Sequence, residues 1–86
     1  MHVITHARVV AAQARFPESS RALDFWYRAM KCGRFATFAE LRATFGSVDK
    51  VGPLFVFNIG GNKLRLIVAV HFNSGKVFVR LVVKPN

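Results

Sequence analysis

The chain has 86 residues, with 13 Lys and Arg against four Asp and Glu, which gives a formal net charge of +9. Apolar residues make up 52% of it, which excludes a disordered tail and predicts one small globular domain over residues 1–86. Such a positive field attracts polyanions, so nucleic acid, an acidic membrane surface and an acidic protein are the candidate partners.

Cysteine and hydropathy patterns indicate the compartment. Cys32 is the only cysteine, which excludes an internal disulfide and a thiolate metal cluster and suits a reducing environment. Arg8 and Arg15 interrupt the amino-terminal segment, and no other stretch is long and apolar enough to span a bilayer. We therefore expect a soluble, cytoplasmic protein that does not act at a membrane.

The first elements along the chain are a short strand and a helix. The sequence HVIT at 2–5 predicts an edge strand. Thr5 is a candidate N-cap for a helix that runs to about Phe16, where Pro17 ends it. Val9, Ala12 and Phe16 would share one stripe of this helix.

Two further helices are predicted before the chain changes to strands. One begins at Ser19 or Ser20, carries an apolar stripe at i, i+3, i+4 and i+7, and ends at Gly33. The other follows Thr37, because TFAE has the spacing of a capping box with Glu40 at its third position.

From Leu54 onward the chain predicts three strands joined by tight turns at 60–62 and 73–75. In the stretch FVFNIGGNKLRLIVAVHF, the even-numbered residues from Leu64 to Phe72 are all apolar, and the odd-numbered ones after the glycines include Lys63, Arg65 and His71. A two-residue loop at Ser74 and Gly75 would pair residue 69 with 80 and residue 65 with 84. The apolar positions, including Val77, Val79, Leu81 and Val83, would then share one face. The opposite face would gather Lys63, Arg65, His71, Phe78, Arg80 and Lys84.

A cationic sheet face with an aromatic ring suits RNA, because arginine and lysine neutralise phosphates while a ring stacks on a base. RNA cleavage needs no metal if one group accepts the 2′-hydroxyl proton, another protonates the leaving 5′-oxygen, and cations stabilise the transition state. Arg65 and Arg80 suit stabilisation and His71 suits proton transfer, with Lys63 or Lys84 as alternatives. The competing interpretation is that these residues form the ordinary solvated face of a small sheet.

Other chemistries find little support in the sequence. The four carboxylates are spread along the chain, and His2, His6 and His71 are widely separated and lack cysteine partners. We therefore predict no metal site and no cofactor.

Four segments together resemble one known family. They are MHVIT, ALDFWYR, TFAELRATFGSVDKVG and VFNIGGNKLRLIVAVHFN. They are similar to the HigB family of bacterial type II toxins, within the RelE-like superfamily, in the same order over nearly the whole chain. The resemblance implies a compact α/β (α+β) fold of about three helices on one face of a small, mainly antiparallel sheet with a carboxyl-terminal hairpin. It also implies an endoribonuclease that cleaves mRNA, typically on translating ribosomes, and a helix-turn-helix antitoxin of the HigA type.

The resemblance also implies roles for individual residues. The family's sheet arginine falls on Arg65, and the arginine of its last strand falls on Arg80. Family members usually continue into a Thr-His-x-x-Tyr-Asp segment, whereas this sequence has VRLVVKPN there, with Lys84 about where the Thr would be. The implied alternatives are that Lys63, His71 or Lys84 substitutes for the usual proton-transfer groups, or that the toxin is weakened or inactive. The predicted catalytic residues are Arg65, Arg80, His71 and Lys63, and the predicted RNA-binding residues are Lys50, Asn62, Phe78 and Lys84.

Two other functions remain open at this stage. A degenerate toxin could hold RNA, ribosome or antitoxin through the same face without cleaving. A small basic ribosome-associated protein with no antitoxin is the third possibility.

Overall fold

One short strand precedes the helices, and all other strands follow them. A computed structural model describes residues 1–85. The helices are α1 (His6–Arg15), α2 (Ser20–Cys32) and α3 (Phe38–Thr44), with a 3₁₀ turn at Pro17–Ser19. The strands are β1 (His2–Val3), β2 (Asp49–Val51), β3 (Leu54–Ile59), β4 (Leu64–His71) and β5 (Lys76–Val83). Within residues 1–85, no helix has both the length and the apolar character needed to cross a membrane.

The strands form a five-stranded mixed sheet in the order β1-β5-β4-β3-β2. β1 runs parallel to β5, and the other neighbours are antiparallel. The predicted edge strand and the three predicted later strands are therefore confirmed. β2 was missed, because its three residues are all exposed and show no alternation.

All three helices pack on the same face of the sheet. Trp26 of α2 packs edge-to-face with Phe57, and their ring centroids are 5.5 Å apart. The ring centroids of Phe38 in α3 and Phe55 are 5.6 Å apart. Val9 and Ala12 of α1 belong to the same buried cluster. The α+β fold with helices on one face is thus as predicted. We call the other side the outer face, and its residues are Asp49, Val51, Leu54, Val56, Asn58, Arg65, Ile67, Ala69, His71, Lys76, Phe78, Arg80, Leu81 and Val83.

The helix boundaries follow from local chemistry. α1 ends just before Phe16 and Pro17, as predicted. At α3 the Thr37 hydroxyl accepts a hydrogen bond from the Glu40 N–H at 3.3 Å, which confirms the predicted N-cap. Glu40 accepts a hydrogen bond from the Ala36 N–H at 2.7 Å, one residue before the position that a capping box normally uses.

The cap gives a first testable prediction. Thr37→Ala should lower the free energy of unfolding by about 1 kcal/mol, because the Glu40 N–H loses its acceptor. Urea unfolding followed by circular dichroism measures this change. Thr44→Ala, at the exposed other end of α3, is the matched control and should cost less. Equal losses in the two variants would contradict the capping role.

The register of β4 on β5 differs from the prediction. The structure pairs His71 with Lys76 and Ala69 with Phe78, so the turn spans residues 72–75 rather than two residues. Farther along, Ile67 faces Leu81 while Val68 faces Val79, which leaves Arg80 as the extra residue of a β-bulge. The predicted pairings of 69 with 80 and 65 with 84 are therefore wrong.

Because of the bulge, the residues of β5 that follow Arg80 lie on the faces opposite to those predicted. Arg80 and Leu81 both lie on the outer face, as the two bulged residues of a strand commonly do, and Leu81 is 56% exposed. Val77 and Val79 are buried as predicted. The prediction that Leu81 and Val83 would join them is wrong, because one inserted residue moves everything after it to the other face.

Candidate functional site

An imidazole, a phenyl ring and a guanidinium lie next to one another on the outer face. The His71 ring approaches the Phe78 ring edge-on with centroids 5.3 Å apart. The guanidinium carbon of Arg80 is 5.4 Å from the centroid of the same ring. His71 and Arg80 are exposed, and Phe78 is half-buried. The structure thus brings together three predicted site residues, which we call the central cluster (His71, Phe78 and Arg80).

The one acid on the outer face, Asp49 at the β2 edge, makes no ion pair with the cations of this region. Lys76 pairs with His71 across the two strands and adds a further cation. The one ion pair in residues 1–85 joins Arg28 to Asp24 at 2.8 Å, and both lie on α2, behind the sheet. The cations of the outer face therefore keep their charge available for an anionic ligand.

Arg65 lies at the far end of the same face. It pairs with Asn58 on one side and Val83 on the other. From the rise of an extended strand, Arg65 is about 20 Å from His71 and about 10 Å from Arg80. One phosphate cannot meet both Arg65 and His71, whereas an extended single strand of nucleic acid can reach both.

A row of aliphatic side chains separates the two cationic ends. Val56, Ile67 and Leu81 face one another across three adjacent strands. Leu81 is the most exposed of them, because the bulge turns it outward. The outer face is therefore an apolar band between two cationic regions and not the continuous cationic surface that was predicted.

Two residues predicted to belong to the site lie in the turn between β3 and β4, beyond the Arg65 end of the sheet. Asn62 and Lys63 are exposed and precede β4. The Lys63 side chain lies next to Gly60. A Cβ atom added to Gly60 would be 3.6 Å from the Lys63 Cδ and 3.6 Å from the Cβ of Ala22 in α2. Lys63 is about 25 Å along the chain from His71. The prediction that Lys63 gathers with His71 on one face is therefore wrong.

Lys50 and Lys84 also lie away from the central cluster. Lys50 pairs with Phe55, and directly paired residues point to the same side, so Lys50 lies on the helix side of the β2 edge. The Lys84 ammonium lies 5.3 Å from the centroid of the Phe16 ring, also on the helix side. The bulge explains this second displacement, since it reverses the parity of the residues that follow it.

Sequence reasoning missed three residues around the cluster. Lys76 has the parity of Phe78 and Arg80, so strand alternation alone could have placed it on this face. Thr5 and Arg8 of the amino-terminal segment contact the backbone of β5 at the bulge. A period of two or of 3.6 residues carries no information on such a contact. Among residues 1–85, no group of three or more His, Cys, Asp or Glu side chains is placed to bind a metal ion.

Comparison with known proteins identifies the family. The family model for the HigB toxin, described as the RelE-like toxic component of a toxin–antitoxin system, matches residues 19–84. The chain belongs to the HigB toxin family. As the toxic component of a toxin–antitoxin system, a HigB-family protein has an antitoxin partner.

Named HigB proteins are similar over most of their length. The mRNA interferase toxin HigB of Escherichia coli K12 is 34% identical over 85 residues, which cover 95% of this chain and 82% of that protein. The mRNA interferase HigB of Shigella flexneri gives the same values. The mRNA interferase HigB of Escherichia coli O6:H1 is 31% identical over 83 residues, covering 93% and 81%. The match to the HigB family model includes the central cluster and Arg65, and it begins after Thr5 and Arg8.

Proposed function

We propose that this HigB-family chain is an mRNA interferase, an endoribonuclease that cleaves mRNA and thereby inhibits translation. The observation that supports the proposal is the central cluster, in which the imidazole of His71 and the guanidinium of Arg80 both lie beside the Phe78 ring on the outer face. The names of the relatives support the same activity.

The geometry suggests how the residues would divide the work. Phe78 would stack on a base beside the scissile bond. The 2′-oxygen would form a new bond to phosphorus while the bond from phosphorus to the 5′-oxygen breaks, giving a cyclic phosphate and a free 5′-hydroxyl. Arg80 would stabilise the charge on the non-bridging oxygens. His71 would make one of the two proton transfers, either accepting the 2′-hydroxyl proton or protonating the leaving 5′-oxygen, and water would make the other. Arg65 would bind a phosphate farther along the strand, and no step uses a metal or a cofactor.

We further propose that the whole chain is one RelE-like toxin domain that acts in the cytoplasm on ribosome-bound mRNA. Its antitoxin would be of the HigA type, a helix-turn-helix protein. The cations of the outer face would also serve to contact ribosomal RNA, since their attraction to phosphate does not depend on sequence.

A second candidate function is a toxin-like protein that binds RNA, ribosome or antitoxin without cleaving. The apolar band favours it, because an exposed leucine between cations suits contact with a protein better than contact with RNA. The two candidates differ in whether new mRNA ends appear.

Expression of the wild type, Arg65→Ala and Arg42→Ala in a bacterial host tests the proposal. Arg42 is an exposed residue of α3, so its variant removes the same charge on the helix side. We expect growth arrest with new internal mRNA ends for the wild type and Arg42→Ala, and neither for Arg65→Ala. A soluble, folded wild type that gives no arrest and no new ends would contradict the nuclease and favour the binding protein.

A further inference from the structure

The bulge at Arg80 is held from outside the sheet by the start of α1. On that edge of β5, the last strand-to-strand hydrogen bond runs from the Ile4 N–H to the Val77 carbonyl at 2.9 Å. Beyond it, the Val79 N–H donates to the Thr5 hydroxyl at 2.7 Å. One guanidinium nitrogen of Arg8 donates to the carbonyl oxygens of Arg80 at 2.9 Å and of Val79 at 3.3 Å. Side chains thus replace the neighbouring strand at this point.

These bonds are made where β5 has no neighbouring strand on one side and its ladder with β4 is interrupted by the bulge on the other. Backbone groups left unpaired at such a point are costly wherever they are shielded from water. Thr5 and Arg8 satisfy one N–H and two carbonyls on either side of the bulged residue. The first turn of α1 is in turn fixed to the core by Val9, which is 1% exposed. The backbone of Arg80 is therefore tied to the hydrophobic core through α1.

The contacts also explain why Thr5 does not cap α1. Thr5 occupies the N-cap position, but its side chain accepts no hydrogen bond from the first turn of that helix. A threonine at this position normally gains about 1 kcal/mol from such a bond. Here the hydroxyl serves β5 instead of its own helix.

We propose that Thr5 and Arg8 are positioning residues for Arg80: they fix the bulge and thereby aim the Arg80 guanidinium along the Phe78 ring. This role rests on the proposed function of Arg80 in RNA cleavage. Arg8 acts on the backbone from the α1 side. A misplacement of about 1 Å in a reactive arrangement can cost on the order of 100-fold in rate.

The test uses matched variants of the full chain. Thr5→Val removes the hydroxyl at nearly constant shape, and Thr5→Ser restores it. Arg8→Met removes the donor, and Arg15→Met removes the same charge from the other end of α1, where the guanidinium lies over the Phe16 ring and, among residues 1–85, donates no hydrogen bond to β5. Cleavage of a defined mRNA is measured in a cell-free translation reaction well below each melting temperature. We expect about tenfold or greater loss for Thr5→Val and Arg8→Met, and changes within about twofold for Thr5→Ser and Arg15→Met.

A second measurement separates positioning from general loss of structure. The Nε–H resonances of Arg80 and Arg65 are followed by NMR in the same variants. Positioning predicts that Thr5→Val and Arg8→Met shift or broaden the Arg80 signal while the Arg65 signal stays in place. An unchanged Arg80 signal, or equal changes in both, would overturn the inference. A wild type that does not cleave RNA would refute the proposed function, and the NMR comparison would still decide whether Thr5 and Arg8 hold Arg80.

Discussion

Replacement of Arg80 by Ala should slow mRNA cleavage by about 100-fold or more while the protein stays folded. Arg80 is exposed and makes its side-chain contact with the Phe78 ring, so its removal costs the core nothing. Arg65 cannot replace it, because about 10 Å of strand separates the two residues. A guanidinium that binds two non-bridging oxygens would be lost at the position where negative charge develops.

The rate is measured on a defined mRNA in a cell-free translation reaction, and circular dichroism checks the fold. Arg42→Ala is the control for loss of one positive charge. Arg80→Lys should fall between the wild type and Arg80→Ala, since lysine keeps the charge but cannot bind two oxygens at once. If Arg80→Ala cleaves at the wild-type rate while Arg65→Ala does not, the reaction centre lies at the Arg65 end of the outer face.

Leu64→Asp should leave the chain largely unfolded, whereas Arg65→Asp should fold. The two positions are adjacent in β4, but Leu64 is 1% exposed in the core and Arg65 lies exposed on the other face. A carboxylate at residue 64 would be buried without a partner and would leave part of the leucine volume empty. The loss of about 4 kcal/mol or more is comparable with the whole stability of a domain this small.

Circular dichroism and urea unfolding of both variants measure this difference. Arg65→Asp is the matched control, because it introduces the same side chain one residue away. It should unfold near the wild-type midpoint and fail to arrest growth, since it puts a negative charge where phosphate is expected. Two equally stable variants would mean that the faces of β4 have been assigned the wrong way round.

Local patterns were sufficient to predict most of the fold. From Leu64 to Val70 the even-numbered residues are all apolar, while Arg65 and His71 stand among the odd-numbered ones, which is enough to predict which face of β4 is buried. The cap at Thr37 and the proline after α1 act within a few residues, so their effects can be predicted without knowledge of the fold.

The register of β5 could not be predicted in the same way. After Arg80 the chain continues Leu81, Val82, Val83, so both parities are apolar and neither is favoured by burial. The turn at residues 72–75 is longer than the two-residue loop that was assumed, and the bulge is contacted by Thr5 and Arg8, more than 70 residues away along the chain. For that reason the central cluster was predicted by residue type, whereas Lys84, which follows the bulge, was placed on the wrong face.

The helices cover only one side of the sheet, and this separates two demands on the sequence. Substitutions on the side covered by the helices are constrained by core packing, while those on the outer face are constrained by binding to a ligand. The two sets of positions alternate along the same strands, so they can diverge independently although they are neighbours in the chain. Lineages of this family can therefore change what the toxin recognises, or lose its activity, while the fold persists and is inherited unchanged.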